Sequence, residues 1–228
     1  MSSSIFVWDI GIIEKFTKFT LILTTFQDVT IKKSDEKFEE EYNREVSKLR
    51  ETITVDKLKD DVIIRAYRDF YWRYLNIDPT KIRPSGEALA RRVLQGKDIP
   101  RINNLVDAYN LASMRTFIAF GAYDLDEIQL PLYFKIPNPG EEFLGIGMKE
   151  PKKLSGKELA LYDQKGIIAL YPYRDSERTK IRDKTKNVLL ITCGVPGISR
   201  DKLIEAEFIA TNYIIRFTGA TLKERYFP

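Results

Sequence analysis

The run Val188-Leu189-Leu190-Ile191-Thr192-Cys193 is apolar or β-branched throughout and stops at Gly194. A run of that length and composition predicts a buried strand. A few residues on, a different period begins. Leu203, Ala206, Ala210, Ile214 and Phe217 recur at helical spacing and the pattern ends at Gly219. An amphipathic helix is expected over 201–217, with Ser199 as its cap and Gly219 as its stop. Further back, short apolar runs at 130–135, 142–147 and 166–171 lie between Pro, Gly and charged residues and are expected to be strands.

The N-terminal part is mostly helical. Residues 4–8 and 20–31 are rich in Ile, Val, Phe and Thr and predict strands. A helix is expected over 35–50, because Phe38, Tyr42, Val46 and Leu49 form one apolar stripe on a charged cylinder. Ser34 is its expected cap. A second helix is expected over 60–75, burying Ile63, Ala66, Tyr67, Phe70 and Tyr74 and ending before Asp78-Pro79. A third should start near Pro84-Ser85, with Ser85 as cap, and end at Gly96. Helices and strands mix without regular βαβ alternation, so the expected class is α+β. Residues 1–60 are expected to form an N-terminal extension, strands plus one amphipathic helix, packed on the same domain as 61–228.

Composition removes many chemistries. The 228 residues include no histidine and one cysteine, Cys193. That excludes Ser-His-Asp and Cys-His catalysis, histidine-ligated zinc, an intrachain disulfide and a CxxC redox site. No metal or cofactor is expected. Hydrophobic residues make up 43% of the chain, enough for a real core. No apolar run approaches the roughly 18 residues of a membrane span, and the N-terminus lacks the basic start of a signal peptide. The expected setting is cytoplasmic, with no membrane contact.

Net charge is only +4, so its distribution matters more than its sum. Residues 65–101 hold nine basic residues against Asp69, Asp78, Glu87 and Asp98, a local +5. Arg73, Arg83, Arg91 and Arg92 are candidate phosphate contacts, and the interleaved Tyr67, Phe70, Tyr71, Trp72 and Tyr74 either stack on bases or fill the core. Gly145-Ile146-Gly147 lacks the third glycine of a dinucleotide loop. Asn103, Asn104, Asp107 and Asn110 lie among apolar residues, where buried amides need hydrogen-bond partners and usually brace loops. Tyr171-Pro172-Tyr173-Arg174-Asp175-Ser176-Glu177 follows a predicted strand, where binding residues collect. Asp175 and Glu177 are its candidate general bases.

At these segments the chain resembles a known family. Tyr71-Trp72-Arg73-Tyr74-Leu75-Asn76-Ile77-Asp78-Pro79 through Leu89 is similar to the opening signature of the B3/B4 domain, the tRNA-binding and editing domain of the phenylalanyl-tRNA synthetase beta chain. Asn104-Leu105-Val106-Asp107-Ala108-Tyr109-Asn110 resembles its N-x-VD-x-x-N segment, Gly121-Ala122-Tyr123-Asp124-Leu125 its H-A-F-D-L segment, and Thr185–Leu190 its last strand. The resemblance covers about 65–195. It implies a compact α+β fold of mixed β-sheets packed against helices, with a B3/B4-like domain over 61–228. It also implies an inter-sheet pocket for the aminoacyl group of a mischarged tRNA.

The expected activity is that of a free-standing deacylase, hydrolysing the ester of aminoacylated tRNA in trans. Glu177 and Asp175 are the expected catalytic residues. Asn104, Asn110, Gly121, Tyr173, Arg174, Thr192 and Gly194 are expected to bind substrate. Arg73, Arg83, Arg91 and Arg92 are expected to hold the tRNA. The family's histidine falls on Gly121, and its pocket glutamate near Glu177. That departure leaves open a reaction without histidine, a different amino-acid specificity, or a module that binds tRNA without chemistry. A pocket for a free amino acid or other small molecule is a further alternative.

Overall fold

A computed structural model describes residues 5–15 and 19–228. Along the chain run β1 (Phe6–Val7), α1 (Ile10–Lys15), β2 (Leu21–Gln27), α2 (Glu36–Thr52), α3 (Val62–Arg73), α4 (Ser85–Leu94), α5 (Asn104–Thr116), β3 (Ala119–Asp124) and β4 (Leu132–Lys135). They are followed by β5 (Glu142–Phe143), β6 (Lys152–Lys153), β7 (Ala160–Asp163), β8 (Gly166–Leu170), β9 (Arg174–Asp175), β10 (Val188–Cys193), α6 (Arg200–Thr218) and β11 (Thr221–Tyr226). Helices and mixed sheets are segregated, so the fold is α+β.

One sheet has the order β11-β2-β10-β3 and is antiparallel throughout. β10 lies inside it, with Ile191 opposite Leu23 of β2 and Gly121 of β3. Every residue of β10 is buried, which is why its sequence is continuously apolar rather than alternating. The second sheet has the order β1-β4-β7-β8-β9, with β1 parallel to β4 and the other pairs antiparallel. β5 and β6 form a separate ribbon. Since β2 is an interior strand, the segment before residue 60 supplies part of the core sheet itself.

The helices start and stop where local chemistry dictates. α6 is capped by Ser199 Oγ, which accepts from Lys202 N at 3.3 Å, and ends on Gly219 in the left-handed region. α2 starts one residue later than expected. Asp35 caps it, while Ser34 Oγ donates instead to Asp107 at 2.6 Å. Ser85 is likewise no cap. It is the first helical residue of α4, after Pro84. In α3 the buried side is Ile64, Ala66, Tyr67, Phe70 and Tyr71; Ile63 is only half-buried, and Tyr74, expected in the core, is exposed because the helix ends at Arg73.

The apolar run at 142–147 pairs over only two residues, after which Gly145 makes a single bridge to Ser176. The strand expected over 20–31 stops at Gln27, before Asp28 in the left-handed region, and residue 4 of the first predicted strand lies outside the described residues. α1, α5, β3, β6, β7, β9 and β11 come in addition to the elements the periodicity picked out. α5 is buried on most of its surface, so it lacks a clean polar face. β3 contains Ala119, Gly121 and Ala122, poor strand formers by composition.

Candidate functional site

A cavity of about 210 Å³ opens between the two sheets. β3 contributes Phe120, Gly121 and Tyr123, and β10 contributes Cys193. β8 supplies Ala169 and Leu170, and the segment from Tyr171 to Asp175 closes the opposite wall. Three helical pieces complete it: Tyr71 from α3, Arg83 and Ser85 at the start of α4, and Tyr109 and Asn110 from α5. The cavity therefore lies where both sheets and the helical layer meet, the kind of concave junction at which ligands bind.

Its polar groups are incompletely satisfied. Tyr71 is fully buried, and its hydroxyl has no hydrogen-bond partner among the described residues; the same holds for the buried Ser85 hydroxyl. Asn110 makes no side-chain hydrogen bond among the described residues. Asp175 accepts one, from the Tyr123 hydroxyl at 2.7 Å. Desolvation inside the cavity pushes the Asp175 carboxyl up to about 6, against the opposing pull of Tyr123 and Arg174. The same burial pushes the Tyr173 phenol up to about 12 and raises those of Tyr109 and Tyr123 further, so all three remain neutral donors. Buried polar groups ordinarily find partners. Unpartnered ones that share a cavity with a partly charged carboxyl mark a place for a polar ligand.

Of the residues expected at a site, the structure brings Asp175, Asn110, Gly121, Tyr173, Arg174 and Arg83 to this cavity. The others lie elsewhere. Glu177 pairs with Lys180, which holds its carboxyl below the usual range, and its backbone N–H donates to Leu144 O at 2.9 Å. β9 ends at Asp175, so the chain has already turned away at Glu177. Asn104 is a buried brace. It accepts from Lys32 N at 3.0 Å and donates to Thr30 O and Phe217 O at 2.8 and 2.9 Å. Thr192 alternates with Cys193 and so faces away from the cavity, on the side where Thr24 bonds Glu207 of α6. Gly194 is packed against Thr20 and Leu203, and its carbonyl accepts from the Tyr171 hydroxyl at 2.7 Å.

Residue-by-residue sequence reading missed Tyr71, Ser85, Tyr109 and Tyr123. Tyr71 and Ser85 looked like core and cap. The usable signal was a tyrosine on an apolar helical face, whose hydroxyl must still find a partner.

Beside the cavity runs a basic groove of about 320 Å³, lined by Lys81, Arg83, Arg91, Arg92 and Lys97 with Ala88 and Gln95. No acidic side chain lines it among the described residues. Glu87 lies behind it, fully buried, bonded by Arg68 Nε at 2.7 Å and paired with Arg91 at 3.5 Å. This pairing anchors α4 while leaving the cationic edge facing out. Arg83 lines both the groove and the cavity. Arg73 is outside the groove, exposed on α3 beside Asp69. Of the interleaved aromatics, Tyr67, Phe70 and Tyr71 are core, whereas Trp72 is 63% exposed.

The matches to known proteins fall on these elements. The family profile described as the B3/4 domain covers residues 66–218. A phenylalanine–tRNA ligase beta subunit from Mycoplasma genitalium is 28% identical over 121 residues, 52% of this chain and 14% of that one. The beta subunit from Psychrobacter arcticus is 31% identical over 88 residues, 39% of this chain and 11% of that one. This chain thus spans a small part of the length of either relative. An N-terminal fragment of the phenylalanyl-tRNA synthetase beta subunit from Pyrococcus horikoshii aligns over 97% of this chain and 50% of its own, at a TM-score of 0.48 and 14% identity. The profile spans α3 to α6 and therefore takes in every element that lines the cavity and the groove: the chain belongs to the B3/4 domain family.

Proposed function

We propose that the chain holds the 3′ end of an aminoacylated tRNA, with the aminoacyl group in the inter-sheet cavity, and hydrolyses the ester in trans. The observation that carries this reading is Arg83, which joins the cavity of Asp175 to a groove of five cationic residues. A small-molecule pocket alone needs no such groove. An RNA-binding surface alone needs no half-buried carboxyl facing a cavity. Membership of the B3/4 family, and relatives named as tRNA ligase subunits, support the same substrate class.

In this reading the groove takes phosphates, and the amino acid enters between β3 and β9. Asp175, with a carboxyl pushed up to about 6, is largely ionised at neutral pH and basic enough to accept a proton from water. That water adds to the ester carbonyl carbon as its proton passes to Asp175. Asn110 donates to the carbonyl oxygen as negative charge builds there. The bond from carbon to the ribose oxygen then breaks, the proton returns to that oxygen, and free amino acid and tRNA leave. An aminoacyl ester is already activated, so positioning one water and one donor is a sufficient contribution.

The test is a deacylation panel. Purified protein is incubated with correctly and wrongly charged tRNAs, and the remaining ester is followed over time. Rapid loss with one amino acid is expected. RNA retention with no ester loss across the panel would replace this reading with a binding module. No RNA retention, together with salt-independent binding of a free amino acid, would leave only a small-molecule pocket.

A further inference from the structure

β3 contains a glycine that its backbone does not require. Gly121 is an interior residue of a regular strand and is absent from the positive-φ positions of the chain. Glycine at such a place weakens a strand and marks a close approach by another group. Here the group is Tyr123, two residues on and therefore on the same face. A Cβ on Gly121 would sit 3.0 Å from Tyr123 Cζ, 3.2 Å from its Cε2, and closer still to its hydroxyl oxygen. The tyrosine ring lies back along its own strand, over the space a side chain at 121 would fill. Its hydroxyl then donates to Asp175 Oδ1 at 2.7 Å. Tyr123 belongs to the antiparallel four-stranded sheet and Asp175 to the edge of the five-stranded one, so this bond ties the two walls of the cavity together.

Building on the function proposed above, we infer that Tyr123 is a positioning residue that orients Asp175 toward the ligand, and that Gly121 is glycine to give Tyr123 room. Among the described residues Tyr123 supplies the one side-chain hydrogen bond to Asp175. It fixes Oδ1 and leaves Oδ2 for water or ligand. The titratable and charged groups around Asp175 are Tyr123, Arg174, Tyr109 and Cys193, with Arg83 lining the same cavity. Desolvation raises the Asp175 carboxyl, whereas Tyr123 and Arg174 hold it down. Losing the Tyr123 hydroxyl therefore moves Asp175 toward the protonated form at neutral pH, where it no longer accepts a proton.

The inference is tested on the full chain with Tyr123→Phe, Gly121→Ala and the double variant. The first measurement needs no substrate: the Asp175 carboxyl is titrated by ¹³C NMR in the free protein. Tyr123→Phe should raise its pKa by roughly one unit, the scale of one hydrogen bond to a charged group. Gly121→Ala should raise it as well by displacing the ring. The double variant should have nearly the Asp175 pKa of Tyr123→Phe, because with the hydroxyl gone there is no bond to Asp175 left for the added methyl to break. 3-Fluorotyrosine incorporated at position 123 keeps the shape and strengthens the donor, so it should lower the pKa. The acid limb of the deacylation profile, measured on the charged-tRNA panel, should follow each shift. An unchanged Asp175 pKa in both Tyr123→Phe and the fluorinated protein, or purely additive effects of the two single substitutions, overturns the inference. A shifted pKa in a protein that cleaves no ester and binds no tRNA overturns the proposed function and leaves the coupling intact.

Discussion

The N-terminal turn of α5 and its middle carry similar residues and do opposite things. At its N-terminus, Asn103 accepts from Val106 N, Asn104 makes three long-range bonds, and Asp107 accepts from Ile102 N at 2.9 Å and from Ser34 Oγ at 2.6 Å. Every one of these side chains is spent on architecture. One turn later, Tyr109 and Asn110 face a cavity where, among the described residues, the Tyr71 and Ser85 hydroxyls lack partners and Asp175 has one. A buried polar group with its partners present braces the fold. One without them is waiting for something that the chain does not supply.

Substitution should separate the two kinds of polar group. The largest stability effect is expected at the satisfied end. Asn104→Ala would strand Lys32 N–H, Thr30 C=O and Phe217 C=O, and should cost about 3 kcal/mol or more, or roughly 10 °C in Tm by calorimetry. A loss below about 1 kcal/mol would show that water replaces the amide and would blur the distinction.

At the cavity the sign reverses. Asp175 has a native pKa of about 6 against a reference value of 3.8, so between those pH values the folded state holds a proton that the unfolded state has released. Its contribution to stability therefore falls as pH rises from about 4 through 6, by about 2–3 kcal/mol in all. Asp175→Asn should be more stable than the wild type at pH 7.5, and the gain should vanish near pH 4 in denaturant titrations. A variant less stable at pH 7.5 would mean that the carboxylate is fully satisfied.

Arg83→Ala should have the mildest consequence for the fold, because Arg83 makes no ion pair among the described residues. It should weaken tRNA binding several-fold and reduce the slope of log affinity against log salt by roughly one. The same substitution at Arg73, outside the groove, should leave that slope within error.

Sequence reading carried the fold class because its evidence is periodic. The stripes of α2 and α6 and the apolar runs of β8 and β10 emerge wherever one face or both faces are buried. It missed α5 because that helix is buried on most sides and begins with polar residues that also suit a loop. The candidate site was legible only in part. Asp175, Tyr173 and Arg174 follow closely on the apolar run of β8, and strand ends are where binding residues collect. Glu177 looked equivalent to Asp175 in sequence, and two residues of chain direction separate their environments. Tyr71 and Ser85 belong to the site through burial without partners, which only three-dimensional packing reveals.

The comparison of Asp175 with Glu177 also gives the most direct test. Initial rates of ester hydrolysis should be measured for wild type, Asp175→Asn and Glu177→Gln on whichever aminoacyl-tRNA the wild type cleaves. The cavity account predicts that Asp175→Asn loses about 10²-fold or more, the usual scale for a general base, while Glu177→Gln stays within about twofold. Full activity in Asp175→Asn, or collapse in Glu177→Gln with the fold intact, would contradict it and move the chemistry out of the inter-sheet cavity.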